Sequence, residues 1–246
     1  MRLARARPPA RHRAAVAFVA AIGAVLAAGA GAGLVGCGSI GEAQQVIDRA
    51  RLVNDLASRL DHASQLTYTA DYQLPTAEHA TIAQAQKPVR AAYTYPAGKF
   101  TTTPEATIDC RADAGVITCT LTAPPSPAAD AQTALLAVLR DRGLVPPTLV
   151  VGLLTAASLS PNAVIKQHDT TIAGEHATCV EVTGVENASA SQFSACITVA
   201  GVLGSFQGTV DGTPMEVSLI RYAASVAADA FDLPAGARTV DQRPAR

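Results

Sequence analysis

The stretch Leu66-Thr67-Tyr68-Thr69-Ala70-Asp71-Tyr72-Gln73-Leu74 alternates apolar and polar residues without interruption. A period of two places the apolar side chains on one face of a β-strand and the polar side chains on the other. Such strands are typical of an antiparallel sheet with one buried face and one face in water. Pro75 follows directly and ends the strand, because proline cannot donate to the β-ladder. The sequence therefore predicts a half-buried antiparallel sheet around this segment.

Ten further segments have short β-type patterns bounded by proline, glycine or polar turns. Five lie in the first half of the chain, at about 81–86, 89–95, 99–103, 107–111 and 116–121. Five lie in the second half, at about 163–168, 177–182, 193–199, 202–207 and 213–222. Asp211-Gly212, between the last two segments, is typical of a two-residue hairpin turn. The sequence thus predicts about eleven antiparallel strands.

Helical spacing replaces the alternation in two parts of the chain. Residues 42–62 have one apolar stripe with steps of three and four residues. The stripe consists of Val46, Ala50, Val53, Ala57 and Leu60. In the middle of the chain, Ser126-Pro127 and Pro146-Pro147 each begin a helical segment. The second segment ends before Ser160-Pro161 and is apolar on nearly every side, so we expect it either to lie in the core or to line an apolar cavity. A further short helix is predicted over 223–230, followed by a closing segment.

The first 36 residues have the layout of a bacterial export signal. Five arginines and no acid precede an apolar run from Ala14 to Gly36. Leu34-Val35-Gly36-Cys37 then resembles a lipobox, in which the small Gly36 permits cleavage and the Cys37 thiol takes a diacylglyceryl group. An uncleaved membrane helix is the alternative, because the run is about long enough to span a bilayer, but this alternative leaves Cys37 unexplained. In either case the following domain lies outside the membrane.

Four cysteines remain after Cys37, and an even number in an exported protein indicates disulfides. When the two local hairpins are folded back on themselves, Cys110 lies opposite Cys119 and Cys179 lies opposite Cys196. Metal ligation and redox chemistry are the competing interpretations. They are disfavoured because the chain has neither a C-x-x-C motif nor a Cys/His cluster with zinc spacing.

Composition and motifs argue against several classes of function. The signal contains five of the nineteen basic residues and no acid, so the mature chain is acidic, unlike a nucleic-acid-binding protein. No G-x-S-x-G nucleophile elbow occurs. His168-Asp169 and Glu175-His176 flank one predicted turn, where such groups are more often solvated than metal-bound. We therefore expect no enzymatic activity, metal or cofactor, although a hydrolase with carboxylates from distant segments stays open.

The order of elements resembles that of the lipoprotein-carrier superfamily, the LolA/LppX/LprG-like proteins. Three short motifs add to the resemblance: Tyr95-Pro96-Ala97-Gly98-Lys99-Phe100, Ile172 to Val180, and Phe231-Asp232-Leu233-Pro234. The resemblance implies an α+β fold, in which a strongly curved antiparallel sheet forms an incomplete β-barrel covered by helices. Two predicted disulfides and the absence of Trp depart from those carrier proteins.

The resemblance also implies an apolar cavity between the sheet and its helical cover, here residues 127–158. The candidate lining residues are Tyr68, Tyr72, Tyr93 and Phe100 on the strands and Leu149, Leu153 and Leu154 on the cover. Ordinary core packing is the alternative for each of them. A ligand in such a cavity gains about 0.8 kcal/mol for each buried methylene group.

These observations predict residues 1–36 as a signal peptide, 37–41 as the lipidated cysteine and a short tether, 42–240 as one carrier-like domain and 241–246 as a polar tail. We expect a lipoprotein anchored through diacylglyceryl-Cys37 on the outer face of the cell membrane, which binds or carries a lipid or other apolar ligand. The alternative is a non-enzymatic interaction module with a filled core that docks an envelope partner. The identity of such a protein partner does not follow from the sequence.

Overall fold

The computed structural model describes residues 38–75, 77–124, 139 and 144–244, and from Ser39 onward they belong to one compact unit. The predicted signal peptide, Cys37 and most of the helical segment after Ser126 lie outside the described residues. Two α-helices are described, α1 at Gly38–His62 and α2 at Pro147–Leu159. Helix α1 already includes residues 38–41, which the sequence analysis assigned to a tether.

In the described residues, twelve strands form one open sheet, one more strand than predicted. They are β1 Tyr68–Gln73, β2 His79–Gln86, β3 Val89–Tyr95, β4 Gly98–Thr102, β5 Thr107–Asp113, β6 Val116–Thr122, β7 Val164–Ile172, β8 Glu175–Thr183, β9 Gln192–Thr198, β10 Leu203–Val210, β11 Thr213–Ala223 and β12 Arg238–Asp241. Their order is β12-β6-β5-β4-β3-β2-β1-β11-β10-β9-β8-β7. All neighbours are antiparallel except β6 and β12. The sheet is curved and does not close, which confirms the predicted α+β, incomplete-barrel class.

Three hairpins turn in two residues with left-handed backbone. Asp211 and Gly212 have φ angles of 47° and 81°, which confirms the predicted hairpin turn. Ala114-Gly115 and Ala173-Gly174 adopt the same conformation, with alanine in the first position. These tight turns fix the register of the flanking strands and thereby the face on which each side chain lies.

The face of the sheet that packs against α1 and α2 is called here the inner face. Its apolar residues alternate along each strand, as in Tyr68, Ala70 and Tyr72 of β1, and join the main hydrophobic cluster. The two helices are antiparallel. The end of α1 at Leu60 lies beside the start of α2 at Pro147, while Val46 and Ala50, in the first half of α1, lie beside the end of α2.

The opposite, outer face is crossed by the C-terminal segment 224–237, called here the strap. Its Ser225 carbonyl oxygen accepts a hydrogen bond of 2.8 Å from the Thr69 hydroxyl on β1. Its Phe231 packs on alanines of β2 and β3, and its Asp232 carbonyl oxygen accepts a bond of 2.6 Å from Lys99 Nζ on β4. The strap then leads into β12, which pairs with β6.

Two predictions for the C-terminal part of the chain were wrong. The helix predicted over 223–230 is instead the end of β11 followed by an extended segment and a short 3-10 turn, Ala228–Phe231. The predicted polar tail begins inside a strand, because Asp241 belongs to β12 and the Gln242 amide donates to the Leu121 carbonyl oxygen at 2.8 Å. Propensity failed here because this segment is held by long-range contacts rather than by its own periodicity.

Both predicted disulfides are confirmed. Cys110 pairs with Cys119 directly across β5 and β6, and Cys179 pairs with Cys196 directly across β8 and β9. Phe100 and Val180, neighbours of these strand positions, lie on the inner face. Since side chains alternate along a strand, both disulfides lie on the outer face.

Candidate functional site

An apolar pocket opens on the inner face, where α1 ends and α2 begins. Its volume is about 400 Å³. This value lies toward the lower end of the roughly 300–1,000 Å³ typical of small-molecule sites. The lining residues are Leu60, Asp61, Ala63, Ser64, Tyr68, Gln84, Tyr93, Leu139, Pro146, Pro147, Thr148 and Val151. The pocket thus lies between the inner face of the sheet, the end of α1 and the start of α2, with Leu139 as a further part of its wall.

The walls of the pocket are mainly apolar, and exposed polar groups lie at its mouth. Leu60, Ala63 and Tyr68 are almost completely buried, and Tyr93 and Val151 are half-buried. Asp61, Ser64 and Thr148 are exposed. This arrangement suits a ligand with an apolar body and a polar end that reaches solvent.

The floor of the pocket is fixed by register. Tyr68 on β1 lies opposite Gln84 on β2, and Ile82, two residues before Gln84, lies opposite Tyr93 on β3. Paired residues in antiparallel strands share one face, so Tyr68 and Tyr93 both face the helices. The period-two pattern of β1 and β3 is what places these two rings together.

Two glutamines hold the turn between α1 and β1 against the sheet. The side-chain amides of Gln84 and Gln86 both donate to the carbonyl oxygens of Ser64 and Leu66, with Gln86 at 2.9 Å from each. Gln84 also donates to the Ala63 carbonyl oxygen at 3.0 Å. These bonds satisfy carbonyl groups around the 3-10 turn Ala63–Gln65 and keep Ala63 at the pocket wall.

The tyrosines of the inner face are neutral at physiological pH. Burial raises the pKa of Tyr68 well above its ordinary value, with smaller contributions from Tyr93 and Tyr222. Burial likewise raises the pKa of Tyr72 and of Tyr93. The pocket therefore offers neutral phenol groups and carries no charge on its floor.

Of the seven predicted lining residues, the structure brings Tyr68 and Tyr93 to this pocket. Tyr72, Phe100, Leu153 and Leu154 are instead buried in the main cluster, and Leu149 packs partly buried against it. The Tyr72 hydroxyl donates to the Leu203 carbonyl oxygen at 3.0 Å, so its position is fixed by a core hydrogen bond. Along most of α2 the alternative interpretation, core packing, describes the structure.

Sequence reasoning missed the lining contributed by element ends, such as Leu60, Ala63, Pro146 and Val151. The apolar stripe of α1 and the start at Pro146-Pro147 were visible in the sequence. The pocket could have been predicted only by knowing that the end of α1 meets the start of α2. Hydrophobic periodicity does not reveal such a contact between two helices.

Two kinds of feature are absent from the described residues. No group of three or more His, Cys, Asp or Glu side chains among them is arranged to hold a metal ion. Within the described part of the chain, no helix is both long and apolar enough to cross a membrane.

Comparison with solved structures finds distant similarities. A crystal structure of MucB has 15% sequence identity and a TM-score of 0.45, over 74% of this chain and 62% of MucB. A complex structure of Pseudomonas aeruginosa MucA/MucB gives 16% identity and a TM-score of 0.46, over 75% and 62% of the two chains. An uncharacterized conserved protein from Thermus thermophilus has 9% sequence identity and a TM-score of 0.40, over 81% of this chain and 99% of that protein.

This chain spans less than two thirds of the length of MucB. No protein-family model and no curated protein sequence matches the chain.

Proposed function

We propose that the protein is an exported bacterial lipoprotein, anchored through diacylglyceryl-Cys37 on the outer face of the cell membrane, whose domain binds an apolar ligand. The role is non-catalytic and requires no cofactor. The observation that supports ligand binding is the open pocket of about 400 Å³ with apolar walls and a polar mouth.

The physical basis of binding is burial of the ligand. Each methylene group moved from water into the pocket contributes about 0.8 kcal/mol. The volume suits one acyl chain or an apolar group of similar size better than several chains. The polar mouth leaves the ligand's head group in water, where it needs no buried partner.

Filling the pocket tests this proposal. In Val151→Trp, the larger ring occupies the space beside Tyr68 and Tyr93, so the affinity for an acyl chain should fall about tenfold or more. Leu159→Trp is the matched control, since it adds the same ring at an exposed position on the same helix, where Leu159 is 77% exposed. The measurement is titration of the domain Ser39–Arg246 with a fluorescent fatty acid. Native mass spectrometry would identify the lipids that co-purify.

Equal affinities in wild type, Val151→Trp and Leu159→Trp would contradict binding in this pocket. Circular dichroism of each variant checks that the fold is retained, so that a loss of binding is not a loss of structure.

The anchor has a separate test. Cys37→Ser removes the thiol that the lipobox presents for acylation, so the wild type should incorporate labelled palmitate and accumulate as a precursor in globomycin, and Cys37→Ser should do neither. Absence of palmitate from the wild type would overturn the lipoprotein assignment and favour an uncleaved membrane helix.

The second candidate is an interaction module that docks an envelope partner. It is favoured by the packing of Tyr72, Phe100, Leu153 and Leu154, which fills most of the predicted cavity with the protein's own side chains. If the domain takes up no lipid in either assay, this candidate replaces the first.

A further inference from the structure

Two phenol hydroxyls in the pocket wall have no hydrogen-bond partner among the described residues. They belong to Tyr68, which is 2% exposed, and to Tyr93, which is half-buried. Tyr72, on the same face of the sheet, differs from them, because its hydroxyl donates to the Leu203 carbonyl oxygen. A hydroxyl withdrawn from water without a partner raises the free energy of the folded state, so both free phenols favour a ligand that accepts a hydrogen bond.

The other polar side chains of the pocket do not compete for this role. The Gln84 side-chain amide already donates to backbone carbonyl oxygens around the turn that precedes β1. Asp61, Ser64 and Thr148 are exposed at the mouth, where water serves as their partner. Among the described lining side chains, the two phenols are therefore the donors that a buried part of the ligand meets.

The charges of the lining residues indicate which acceptor suits these donors. The described lining residues include one acid, Asp61, and no lysine, arginine or histidine. A carboxylate buried beside the phenols would therefore lack a cation, and burial of an unpaired charge costs far more free energy than burial of a neutral carbonyl group. Burial also raises the pKa of Tyr68 and of Tyr93, so each phenol keeps the proton that it donates. The acceptor that fits is neutral.

We infer that Tyr68 and Tyr93 bind the carbonyl oxygen of a neutral acyl ester, so that the pocket prefers a monoacyl ester such as a monoacylglycerol to a free fatty acid. This inference rests on the proposed binding of an apolar ligand in the pocket. The acyl chain lies along the apolar walls, the ester carbonyl oxygen accepts from the phenols through its two lone pairs, and the uncharged alcohol part reaches the polar mouth. A fatty acid buries its chain but leaves its carboxylate at the mouth, so it gains neither phenol bond.

Ligands that differ at the carbonyl group test this inference on the full chain in phosphatidylcholine nanodiscs. Radiolabelled monooleoylglycerol has the ester carbonyl, and its ether analogue, monooleyl glyceryl ether, lacks it. Oleate at about pH 9 is a carboxylate, whereas the buried phenols stay protonated at that pH. Uptake of each probe is counted above that of protein-free nanodiscs. Wild type should take up the ester about fivefold more strongly than the ether or oleate, as expected for the net gain of neutral hydrogen bonds.

Tyr68→Phe and Tyr93→Phe keep the rings and remove the donors, so each should lower the ratio of ester to ether uptake while ether uptake stays as in wild type. Tyr222→Phe is the matched control. The Tyr222 ring centroid lies 6.2 Å from that of Tyr68, yet Tyr222 does not line the pocket, so the ratio should not change. The infrared band of an isotope-labelled ester carbonyl reports the bond directly, and it should lie at lower frequency in wild type than in Tyr68→Phe or Tyr93→Phe.

Equal uptake of ester and ether by wild type would overturn the inference, as would a ratio that neither Tyr68→Phe nor Tyr93→Phe lowers. Uptake of oleate equal to that of the ester would also overturn it, because the pocket would then discriminate no neutral carbonyl from a carboxylate. In each of these outcomes the chain is still taken up, so the proposed binding of an apolar ligand stands. Absence of uptake of all three probes above protein-free nanodiscs would instead refute the proposed function and the inference together.

Discussion

The two faces of the sheet are stabilised in different ways. On the inner face, apolar side chains from both halves of the chain form one large cluster with α1 and α2. On the outer face, the apolar contacts of the strap form a small cluster around Phe231. The outer face also carries both disulfides and the ion pair between Asp71 and Arg221, whose closest atoms are 2.6 Å apart.

The difference follows from what covers each face. A helix supplies a continuous apolar stripe and can bury a whole strip of sheet, so the inner face is stabilised mainly by burial. The strap supplies one large side chain, Phe231, and backbone carbonyl oxygens that accept hydrogen bonds from the Thr69 and Lys99 side chains. Covalent links then add stability on the face with few apolar partners. The pocket lies on the inner face, where the end of α1 meets the start of α2.

Removal of a side chain from the middle of the inner face is expected to have the largest effect. Leu154 on α2 is 0% exposed, so Leu154→Ala should lower the free energy of unfolding by about 3–4 kcal/mol through lost burial and a residual cavity. Leu159→Ala, five residues further on the same helix, should change it by less than about 0.5 kcal/mol. Urea denaturation of both variants checks this. Similar losses in the two variants would mean that the exposed end of α2 is covered in solution.

Removal of a disulfide from the outer face is expected to have the second-largest effect on the free energy of unfolding. The Cys179–Cys196 bond spans 17 residues of sequence and the Cys110–Cys119 bond spans 9. In the chain-entropy model the two losses are about 3.1 and about 2.6 kcal/mol, a difference of about 0.5 kcal/mol. Paired Cys→Ala variants measured by urea denaturation test this order. If removal of the Cys110–Cys119 bond, which closes the shorter loop, lowers the free energy of unfolding more, then strand pairing rather than loop closure determines how much each disulfide stabilises the outer face.

The strands of the sheet and their hairpins were more predictable from the sequence than the strap that crosses the outer face. The strands, their alternation and the cysteine pairings follow from local patterns, since a hairpin with a tight turn fixes which residues lie opposite each other. The same patterns placed Tyr68 and Tyr93 toward the helices. Leu153 and Leu154 were assigned to a cavity wall but fill the core, because the size of a cavity depends on how closely the helix approaches the sheet.

The strap was not predictable for a different physical reason. Its contacts join residues far apart in sequence, such as Thr69 with Ser225 and Lys99 with Asp232. Strand β12 pairs with β6 in parallel, which requires a long connection rather than a local turn. Hydrophobic periodicity contains no information about such pairings.

Removal of the Phe231 side chain, which holds the strap on the outer face, should have a smaller and more local effect. Phe231 is 5% exposed, packs on Ala83, Ala85 and Ala92, and lies 4.2 Å from the Arg90 guanidinium carbon. Phe231→Ala should cost about 2 kcal/mol, since the strap can detach without opening the inner face. Hydrogen exchange should accelerate in β12 but not in β1. Acceleration in β1 to the same extent would show that the two faces unfold together.

The smallest effect at neutral pH should come from Tyr68→Phe, which keeps the ring and removes the hydroxyl. Burial raises the pKa of Tyr68, so above about pH 10 the unfolded state releases a proton that the folded state retains. The unfolded state is thereby favoured, and the free energy of unfolding should fall by about 1.4 kcal/mol per pH unit for this residue, with no contribution below about pH 10.

Urea denaturation between pH 8 and about pH 11.5 measures this slope, which should be shallower in Tyr68→Phe than in wild type. Tyr222→Phe is the control, because Tyr222 is less buried and its pKa is also raised by burial and by Glu175. Its removal should flatten the slope less. Identical slopes in wild type and Tyr68→Phe would mean that the phenol of Tyr68 ionises freely in the folded protein. The pocket floor would then be open to water, and the inner face would be less completely sealed than the packing of its central residues indicates.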